Sequence, residues 1–149
     1  MTSNRPNRDE YFTKMALLVA FRATCPRRAV GCVLVNSAGH VIATGYNGVA
    51  RGTPHCEGEH RCGGSDSPSG QGLNKCKAIH AEQNALLQCS DVECIDTVYV
   101  TASPCITCAK LLLNTNCKRV VFFEEYSDIS AKDLWESTGR EWIHFKLKE

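Results

Sequence analysis

Apolar and polar residues alternate along the chain with two different periods. Over residues 9–24 the apolar positions recur at helical spacing, and Cys25-Pro26 interrupts the pattern, so we predict a helix that ends there. Two β-branched runs, at 30–35 and 41–44, are separated by a short turn containing Gly39, which predicts a β-hairpin.

The second half of the chain alternates between helical and strand patterns. Ser103 suits a helix N-cap and Pro104 suits the first helical position, so we predict that a helix opens there, with Cys105 and Cys108 in its first turn or so. The other elements predicted in this half are helices over 78–89 and 129–138 and strands over 97–101, 119–123 and 142–147. Five strands interleaved with helices predict an α/β fold with three α/β/α layers around a central five-stranded mixed sheet.

The length of 149 residues fits one domain spanning 1–149. Residues 47–75 form a stretch rich in Gly, Ser and Cys without usable periodicity, and we read it as a long loop. Loops of this length inside a compact domain are usually functional or disordered, so an ordered one needs something to hold it.

Charge and composition narrow the classes of partner. The net charge of +1 gives no broad positive surface, which disfavours tRNA or duplex DNA and favours a small substrate. We find neither the apolar core of a signal peptide nor an apolar run long enough to span a membrane, so we expect a cytoplasmic protein. In a reducing compartment its ten cysteines are expected to be metal ligands, catalytic groups or buried small residues.

His80, Cys105 and Cys108 form the strongest chemical pattern. Two cysteines three residues apart share a helical face, and a cysteine near a helix N-terminus favours the thiolate that binds metal. Three protein ligands leave a fourth position for water, as in catalytic zinc sites. His80 and Glu82 are two residues apart and would not share a face in mid-helix, so we expect two helix N-termini to face one zinc.

Glu82 is the candidate general base. Two thiolates and an imidazole cancel the charge of zinc, so the site acidifies its water less than an all-histidine site, and a separate base is needed. Burial is expected to raise the pKa of Glu82 toward neutrality. The alternatives are a solvated carboxylate for Glu82, and a redox pair or half of a zinc finger for Cys105 and Cys108.

These residues resemble the zinc-dependent cytidine and deoxycytidylate deaminase superfamily, whose signature is H-x-E with P-C-x-x-C. The similarity runs from the first helix to about Tyr126 and, in order and spacing, is greatest to the deoxycytidylate deaminases. The segments that carry it are Cys25-Pro-Arg-Arg-Ala-Val-Gly31, Thr44-Gly-Tyr-Asn-Gly48, Thr53-Pro-His-Cys56, His80-Ala-Glu-Gln-Asn-Ala85 and Ser103-Pro-Cys-Ile-Thr-Cys108.

The resemblance implies a cytidine-deaminase-like fold and a hydrolase that converts dCMP to dUMP and ammonia, with dUMP feeding dTMP synthesis. Members of this family are commonly homohexamers, activated by dCTP with Mg²⁺ and inhibited by dTTP. It also implies that His80, Cys105 and Cys108 hold zinc, while Glu82 moves protons to N3 and then to the leaving amine.

Further roles follow from the same resemblance. Asn47 would bind the sugar 3′-hydroxyl, and Tyr126 resembles a tyrosine near the substrate; a turn asparagine and a packed tyrosine are the alternatives. The allosteric nucleotide would border Gly45, Tyr46, Asn47 and Gly48, with Arg27 and Arg28. The basic residues available for the substrate phosphate are Arg27, Arg28, Lys75 and Lys77.

A second, structural zinc would explain how the loop at 47–75 stays ordered. Some relatives carry one with ligands matching Cys25 and Cys56, and Cys62 and Cys76, with His55 and His60 nearby, are candidates to complete it. Free cysteines on a mobile loop are the alternative. The remaining cysteines fall in or beside apolar elements, and we expect them to be buried packing residues: Cys32, Cys89, Cys94 and Cys117.

Two rival functions stay open from the sequence. One is deamination of another substrate, such as free cytidine, a tRNA adenosine or an unusual nucleoside. The other is a zinc-stapled binding module without activity, although such a module has no need of a non-ligand carboxylate like Glu82.

Overall fold

The computed structural model describes residues 4–24, 28–54 and 78–147. Its centre is a five-stranded sheet in the order β2-β1-β3-β4-β5, in which β1 is antiparallel to both β2 and β3, and β3, β4 and β5 are parallel. The predicted mixed sheet is therefore confirmed. The elements in chain order are α1 Arg8–Ala20, β1 Gly31–Val35, β2 Val41–Tyr46, α2 Ala81–Gln88, a 3₁₀ turn Val92–Cys94, β3 Thr97–Ala102, α3 Ile106–Leu113, β4 Arg119–Glu124, α4 Ser130–Ser137 and β5 Glu141–His144.

Alternate residues of the inner strands serve two hydrophobic clusters, one on each face of the sheet. On β1, Cys32 and Leu34 face the cluster built with α2, α3 and α4, whereas Val33 and Val35 face the cluster built with α1. Strands β1 and β3 are buried along their whole length because both faces are covered. The three-layer arrangement predicted from the sequence is thus confirmed.

A polar network joins α1 to strands β3, β4 and β5. The Tyr99 hydroxyl donates to Asp9 at 2.7 Å, and Arg119 donates to both oxygens of the same carboxylate at 3.4 and 3.1 Å. Arg119 also pairs with Glu141 on β5. Because Tyr99 is buried, its hydroxyl needs a partner, and Asp9 provides one.

The β1–β2 hairpin forms as predicted. Asn36 Oδ1 accepts from the backbone N–H groups of Ala38 and His40, and Gly39 takes a positive φ of 84° that closes the turn. Strand β2 continues to Tyr46, two residues beyond the predicted end, so Gly45 and Tyr46 belong to the sheet.

Three predicted helix boundaries are wrong. Helix α1 ends at Ala20, four residues early, and α2 begins at Ala81 because Ile79 instead forms a β-bridge with Gly48. Helix α3 begins at Ile106, with Cys105 as N-cap. Ser103 is not its N-cap, because its side chain accepts from the backbone N–H of Tyr126.

No helix within the described ranges is long and apolar enough to cross a membrane. That the whole of 1–149 is one domain remains a prediction, because residues 55–77, which include most of the predicted loop, lie outside the described residues.

Candidate metal centre and active site

Three ligand atoms meet where the N-termini of α2 and α3 converge. His80 Nδ1 lies 3.2 Å from Cys108 Sγ and 3.5 Å from Cys105 Sγ. Among the described residues this is the one group of three histidine, cysteine or acidic side chains whose ligand atoms all lie within 4.8 Å of one another. The residues that the sequence pattern selected are therefore brought together.

His80 owes its position to the start of α2. It is the N-cap residue, with an extended backbone, and its backbone N–H donates to Gln83 Oε1 at 2.9 Å. Its carbonyl accepts the first helical hydrogen bond from Asn84 N, also at 2.9 Å. The histidine is held at the helix end by its own backbone, so its ring is available to a ligand beyond that end.

Cys105 occupies the equivalent place on α3. It is the N-cap residue, and its carbonyl accepts from Ala109 N at 2.9 Å, while Cys108 is the third residue of the helix. The positive end of the helix dipole favours negative charge on sulfur at this point. This effect of the helix terminus favours the thiolate form of Cys105.

The pKa values of Cys105 and Cys108 are shifted in opposite directions. The hydrogen bond from the Cys108 thiol, together with His80, lowers the pKa of Cys105 to about 4. The same hydrogen bond, with burial, holds the pKa of Cys108 well above its ordinary value. A cation that takes both sulfurs as ligands would replace the proton between them.

The donor set fits zinc. Zinc bonds of about 2.0–2.1 Å to nitrogen and about 2.3 Å to sulfur in a tetrahedron place neighbouring N and S ligands roughly 3.6 Å apart. The two N···S distances of 3.2 and 3.5 Å are close to that spacing. One imidazole and two sulfurs also match the nitrogen and thiolate ligands that zinc prefers. The grouping with His80 favours this assignment over an isolated redox pair.

Glu82 is a buried carboxylate beside the three ligands. It lies in the first turn of α2 and is only 5% exposed, so it is not a solvated helix carboxylate. Burial raises the pKa of Glu82 to about 7, and the negative charge on Cys105 adds to the rise. A carboxyl group held near neutrality can both accept and return a proton. The sequence-based expectation of a raised pKa is met.

Next to the metal ligands lies a cluster that joins three separate parts of the chain. Arg28 pairs with Glu124 at the end of β4 at 3.1 Å, and its guanidinium lies 5.2 Å from the centre of the Tyr126 ring. The backbone N–H of Tyr126 donates to Ser103 Oγ at 2.6 Å. Tyr126 is therefore bound to a residue that precedes Cys105 by two positions. Arg28 is the candidate phosphate residue that the structure describes in this region.

Asn47 is buried, at 8% exposure, and is bound to the segment before β1. Its Oδ1 accepts from Val30 N at 2.8 Å, and its Nδ2 donates to Arg28 O at 2.5 Å. Gly48 has no positive φ, so the pair is not an Asn-Gly hairpin turn. An amide has two donors and an oxygen with two lone pairs, so the side chain retains capacity for a further partner.

Gly45 lets β2 approach α2 closely. A Cβ at this position would overlap the carbonyl oxygen of Ala81 and the backbone nitrogen of Ala85. Gly48 forms two backbone hydrogen bonds with Ile79, the residue before His80, at 3.1 and 2.8 Å. Residues 45–48 are thus attached to the beginning of the helix that carries His80 and Glu82.

The expectation that the remaining cysteines are buried is only partly met. Cys32 and Cys117 are fully buried in the hydrophobic cluster built with α2, α3 and α4. Cys89 is half-buried and packs against that cluster. For Cys94 the expectation is wrong, because this residue is exposed on the 3₁₀ turn and its thiol donates to Asp91. The residues of the predicted second zinc site lie outside the described residues: Cys25, Cys56, Cys62, Cys76, His55 and His60, as do Arg27, Lys75 and Lys77.

Two contributors to the site were not identified from the sequence. Gln83 stands three residues after His80, the spacing of a capping box, but histidine is not a usual N-cap and the signal is easily overlooked. Its composition predicts Ser103 as a helix N-cap, whereas its hydrogen-bond partner in the structure is 23 residues away. No sequence pattern around Ser103 predicts that contact.

Comparison with known proteins agrees with the geometry. The sequence profile of the cytidine and deoxycytidylate deaminase zinc-binding region matches residues 6–124. A deoxycytidylate deaminase of Schizosaccharomyces pombe is 40% identical over 140 residues, which are 91% of this chain and 43% of that protein. The chain thus spans less than half of that relative. A deoxycytidylate deaminase of Mycobacterium phage D29 is 39% identical over 82% of this chain and 98% of its own length.

A solved structure extends the likeness over nearly the whole chain. It is the dCMP deaminase of cyanophage S-TIM5 in complex with dCMP and dUMP, 27% identical, with a TM-score of 0.75 over 96% of this chain and 100% of that one. The profile match covers the three grouped residues His80, Cys105 and Cys108, and also the buried Glu82. From its sequence and its fold alike, this chain belongs to the cytidine and deoxycytidylate deaminase family.

Proposed function

We propose that this protein hydrolyses dCMP to dUMP and ammonia at a zinc site formed by His80, Cys105 and Cys108. The observation that carries the proposal is a buried non-ligand carboxylate, Glu82, two residues from the histidine of a three-ligand site. A purely structural zinc site is closed by four protein ligands and has no use for such a group. This argues against a non-catalytic binding module.

The chemistry assigned to the chain is proton transfer. Zinc, when bound, supplies the Lewis acidity that makes water a better nucleophile at neutral pH. Glu82 accepts a proton from the attacking water and passes it to N3 of cytosine. It then takes the remaining proton of that water from the hydroxyl on C4 and delivers it to the 4-amino nitrogen. The water oxygen becomes bonded to C4, the C4–N bond breaks, and the products are dUMP and ammonia.

The choice of dCMP rests on the relatives and on the polar residues near the metal ligands. The phage D29 and S-TIM5 proteins are named for this activity, and the latter was solved with dCMP and dUMP. Arg28, stacked near Tyr126, supplies a guanidinium for the phosphate, and Asn47 is assigned to the sugar 3′-hydroxyl through its remaining donor. The near-neutral charge supports a free nucleotide over a polymeric nucleic acid.

Regulation forms a second part of the proposal. We assign the site of an activating dCTP with Mg²⁺, and of an inhibiting dTTP, to Gly45, Tyr46, Asn47 and Gly48 with Arg27 and Arg28. In support, residues 45–48 contact both α2 and the segment before β1, so a ligand held there would touch the elements that carry Glu82 and Arg28. A homohexamer is proposed on the family resemblance alone.

We further propose a second zinc on Cys25, Cys56, Cys62 and Cys76, a supply of dUMP for dTMP synthesis, and a cytoplasmic location. Thiolate ligands of this kind persist in a reducing compartment, which supports the last point. Zinc analysis of carefully purified protein tests the second site: about two zinc ions per chain are expected, and about one would refute it.

The activity is tested by ammonia release from dCMP, dCTP, CMP, deoxycytidine and cytidine, each with and without added dCTP or dTTP. We expect dCMP to be preferred over deoxycytidine, with dCTP raising and dTTP lowering the rate. Equal use of the nucleoside and the monophosphate would overturn the phosphate assignment. Release from cytidine alone would favour the rival nucleoside deaminase.

A further inference from the structure

Asn84 connects the catalytic helix to the end of β2. It lies on α2, two residues after Glu82, and its backbone N–H bonds to His80 O at 2.9 Å. Its side chain reaches across to the sheet, where Nδ2 donates to Tyr46 O at 2.8 Å. A single residue therefore contacts both the histidine ligand's backbone and the strand end.

The segment that Asn84 holds is short and attached at several points; we call residues 45–48 the β2 exit segment. Gly45 packs directly against the α2 backbone, and Gly48 exchanges two hydrogen bonds with Ile79. Between these two attachments, Asn84 provides a hydrogen bond from an α2 side chain to the backbone of Tyr46. The place of Tyr46 and Asn47 relative to Glu82 is thereby set by α2.

Through Asn47, a chain of contacts connects the β2 exit segment to the region of the metal ligands. Asn47 holds the backbone of Arg28 and Val30, and Arg28 contacts Glu124 and the Tyr126 ring. The next link is the hydrogen bond from Tyr126 N to the side chain of Ser103, two residues before Cys105. The contacts run continuously from the start of α2 to the start of α3.

From this continuity we propose that Asn84 is a positioning residue, which sets the β2 exit segment, and with it Asn47, at a fixed place relative to Glu82. The proposal rests on the function proposed above. Losing the amide donor leaves the Tyr46 carbonyl without this partner and frees the segment to shift. Because Asn47 is assigned to substrate binding and Glu82 to proton transfer, we expect the effect mainly on KM for dCMP.

The test compares Asn84→Leu and Asn84→Asp, two variants of similar size that cannot donate, with Gln88→Ala, an exposed amide on the same helix. We expect both Asn84 variants to lose about tenfold in kcat/KM for dCMP, chiefly through KM, with kcat per bound zinc within about twofold of wild type. We also expect faster hydrogen exchange at the backbone amides of Gly48 and Ile79. Asn84→Ser, which keeps a hydroxyl donor, should fall between wild type and Asn84→Leu and serves if the larger changes prevent folding.

Several outcomes would overturn the proposal. They are kinetics matching those of Gln88→Ala, a loss confined to kcat that follows zinc content, or unchanged exchange at Gly48 and Ile79. If wild-type protein deaminates no cytosine nucleotide, the proposed function fails. The exchange measurement then still decides whether Asn84 holds the β2 exit segment.

Discussion

His80 and Cys105 occupy the same position in two different helices: each is the N-cap residue, and His80 Nδ1 lies 3.5 Å from Cys105 Sγ. Both backbones are extended there, with ψ of 154° and 170°, before turning into the helix. The two ligands are thus placed by helix starts, where the orphan backbone N–H groups and the helix dipole favour thiolate and carboxylate charges.

Loss of one sulfur ligand should empty this metal centre. We predict that Cys108→Ser lowers the zinc content by about one equivalent per chain after dialysis against a weak chelator, because serine is a poor zinc ligand. Cys94→Ser, which changes an exposed thiol outside the site, should keep the wild-type content. Equal zinc content in the two variants, measured by atomic emission, would remove Cys108 from the ligand set.

Gly45 should not tolerate a side chain. A methyl group there would overlap the α2 backbone at Ala81 and Ala85, which cannot move as a flexible side chain would. We predict that Gly45→Ala costs about 1–3 kcal/mol in the free energy of unfolding and weakens zinc binding, because the start of α2 is displaced. Denaturant unfolding and zinc titration measure the two effects.

Gly52→Ala is the matched comparison, since nothing lies within 4 Å of a Cβ there and only the positive φ of 82° is unfavourable. It should cost about 1 kcal/mol and leave zinc binding unchanged. A Gly45→Ala variant with wild-type stability and zinc affinity would contradict the packing described for β2 and α2.

We predict that the titration of Tyr99 lowers the free energy of unfolding above pH 10. Burial and the hydrogen bond to Asp9 raise the pKa of Tyr99 above its ordinary value of 10.0. Between pH 10 and the raised pKa of the folded protein, Tyr99 loses its proton in the unfolded chain and keeps it in the folded chain. The contribution of Tyr99 to the free energy of unfolding is therefore fully present below pH 10 and decreases as the pH rises. The slope is at most about 1.4 kcal/mol per pH unit.

Tyr99→Phe should unfold more easily at neutral pH, by about 1 kcal/mol, and lose less stability above pH 10 than wild type. Tyr11→Phe, at a half-exposed position on α1, should follow the wild-type curve. Parallel curves for wild type and Tyr99→Phe above pH 10, measured by urea unfolding, would show that Tyr99 is not the group responsible.

Arg28 should discriminate the monophosphate from the nucleoside. If its guanidinium binds the substrate phosphate, Arg28→Ala raises KM for dCMP by about tenfold or more and leaves deoxycytidine turnover unchanged. Arg22→Ala, at an exposed position just after α1, serves as the control. A variant that loses dCTP activation while keeping KM for dCMP would assign Arg28 to the regulatory site instead.

Most of the fold and the set of metal ligands could be predicted from local sequence patterns. His80 and Glu82 are two residues apart, so they could serve one site only at the start of a helix. The structure confirms this placement, with His80 as the N-cap of α2. The sheet followed from five β-branched or apolar runs, and alternate residues of its inner strands face opposite clusters. The chemistry of the ligands was predictable because three residues of known metal preference stood at informative spacings.

Contacts distant in sequence were beyond the reach of the same reasoning. Ser103 has the composition of an N-cap, but its oxygen is taken by Tyr126, 23 residues later. Asn84 reads as an ordinary helix residue, although its partner Tyr46 lies 38 positions earlier. Propensity describes what a residue does near its own backbone, whereas these roles depend on which strand ends the fold brings together.

The proton transfer assigned to Glu82 is tested most directly by Glu82→Gln, which keeps the size of the side chain and removes its ability to take a proton. Ammonia release from dCMP and zinc content are measured together, with Glu93→Gln, an exposed residue of the 3₁₀ turn, as control. We predict a loss of turnover of at least about a hundredfold with zinc retained, against wild-type behaviour of the control. Normal turnover by zinc-loaded Glu82→Gln would contradict the account.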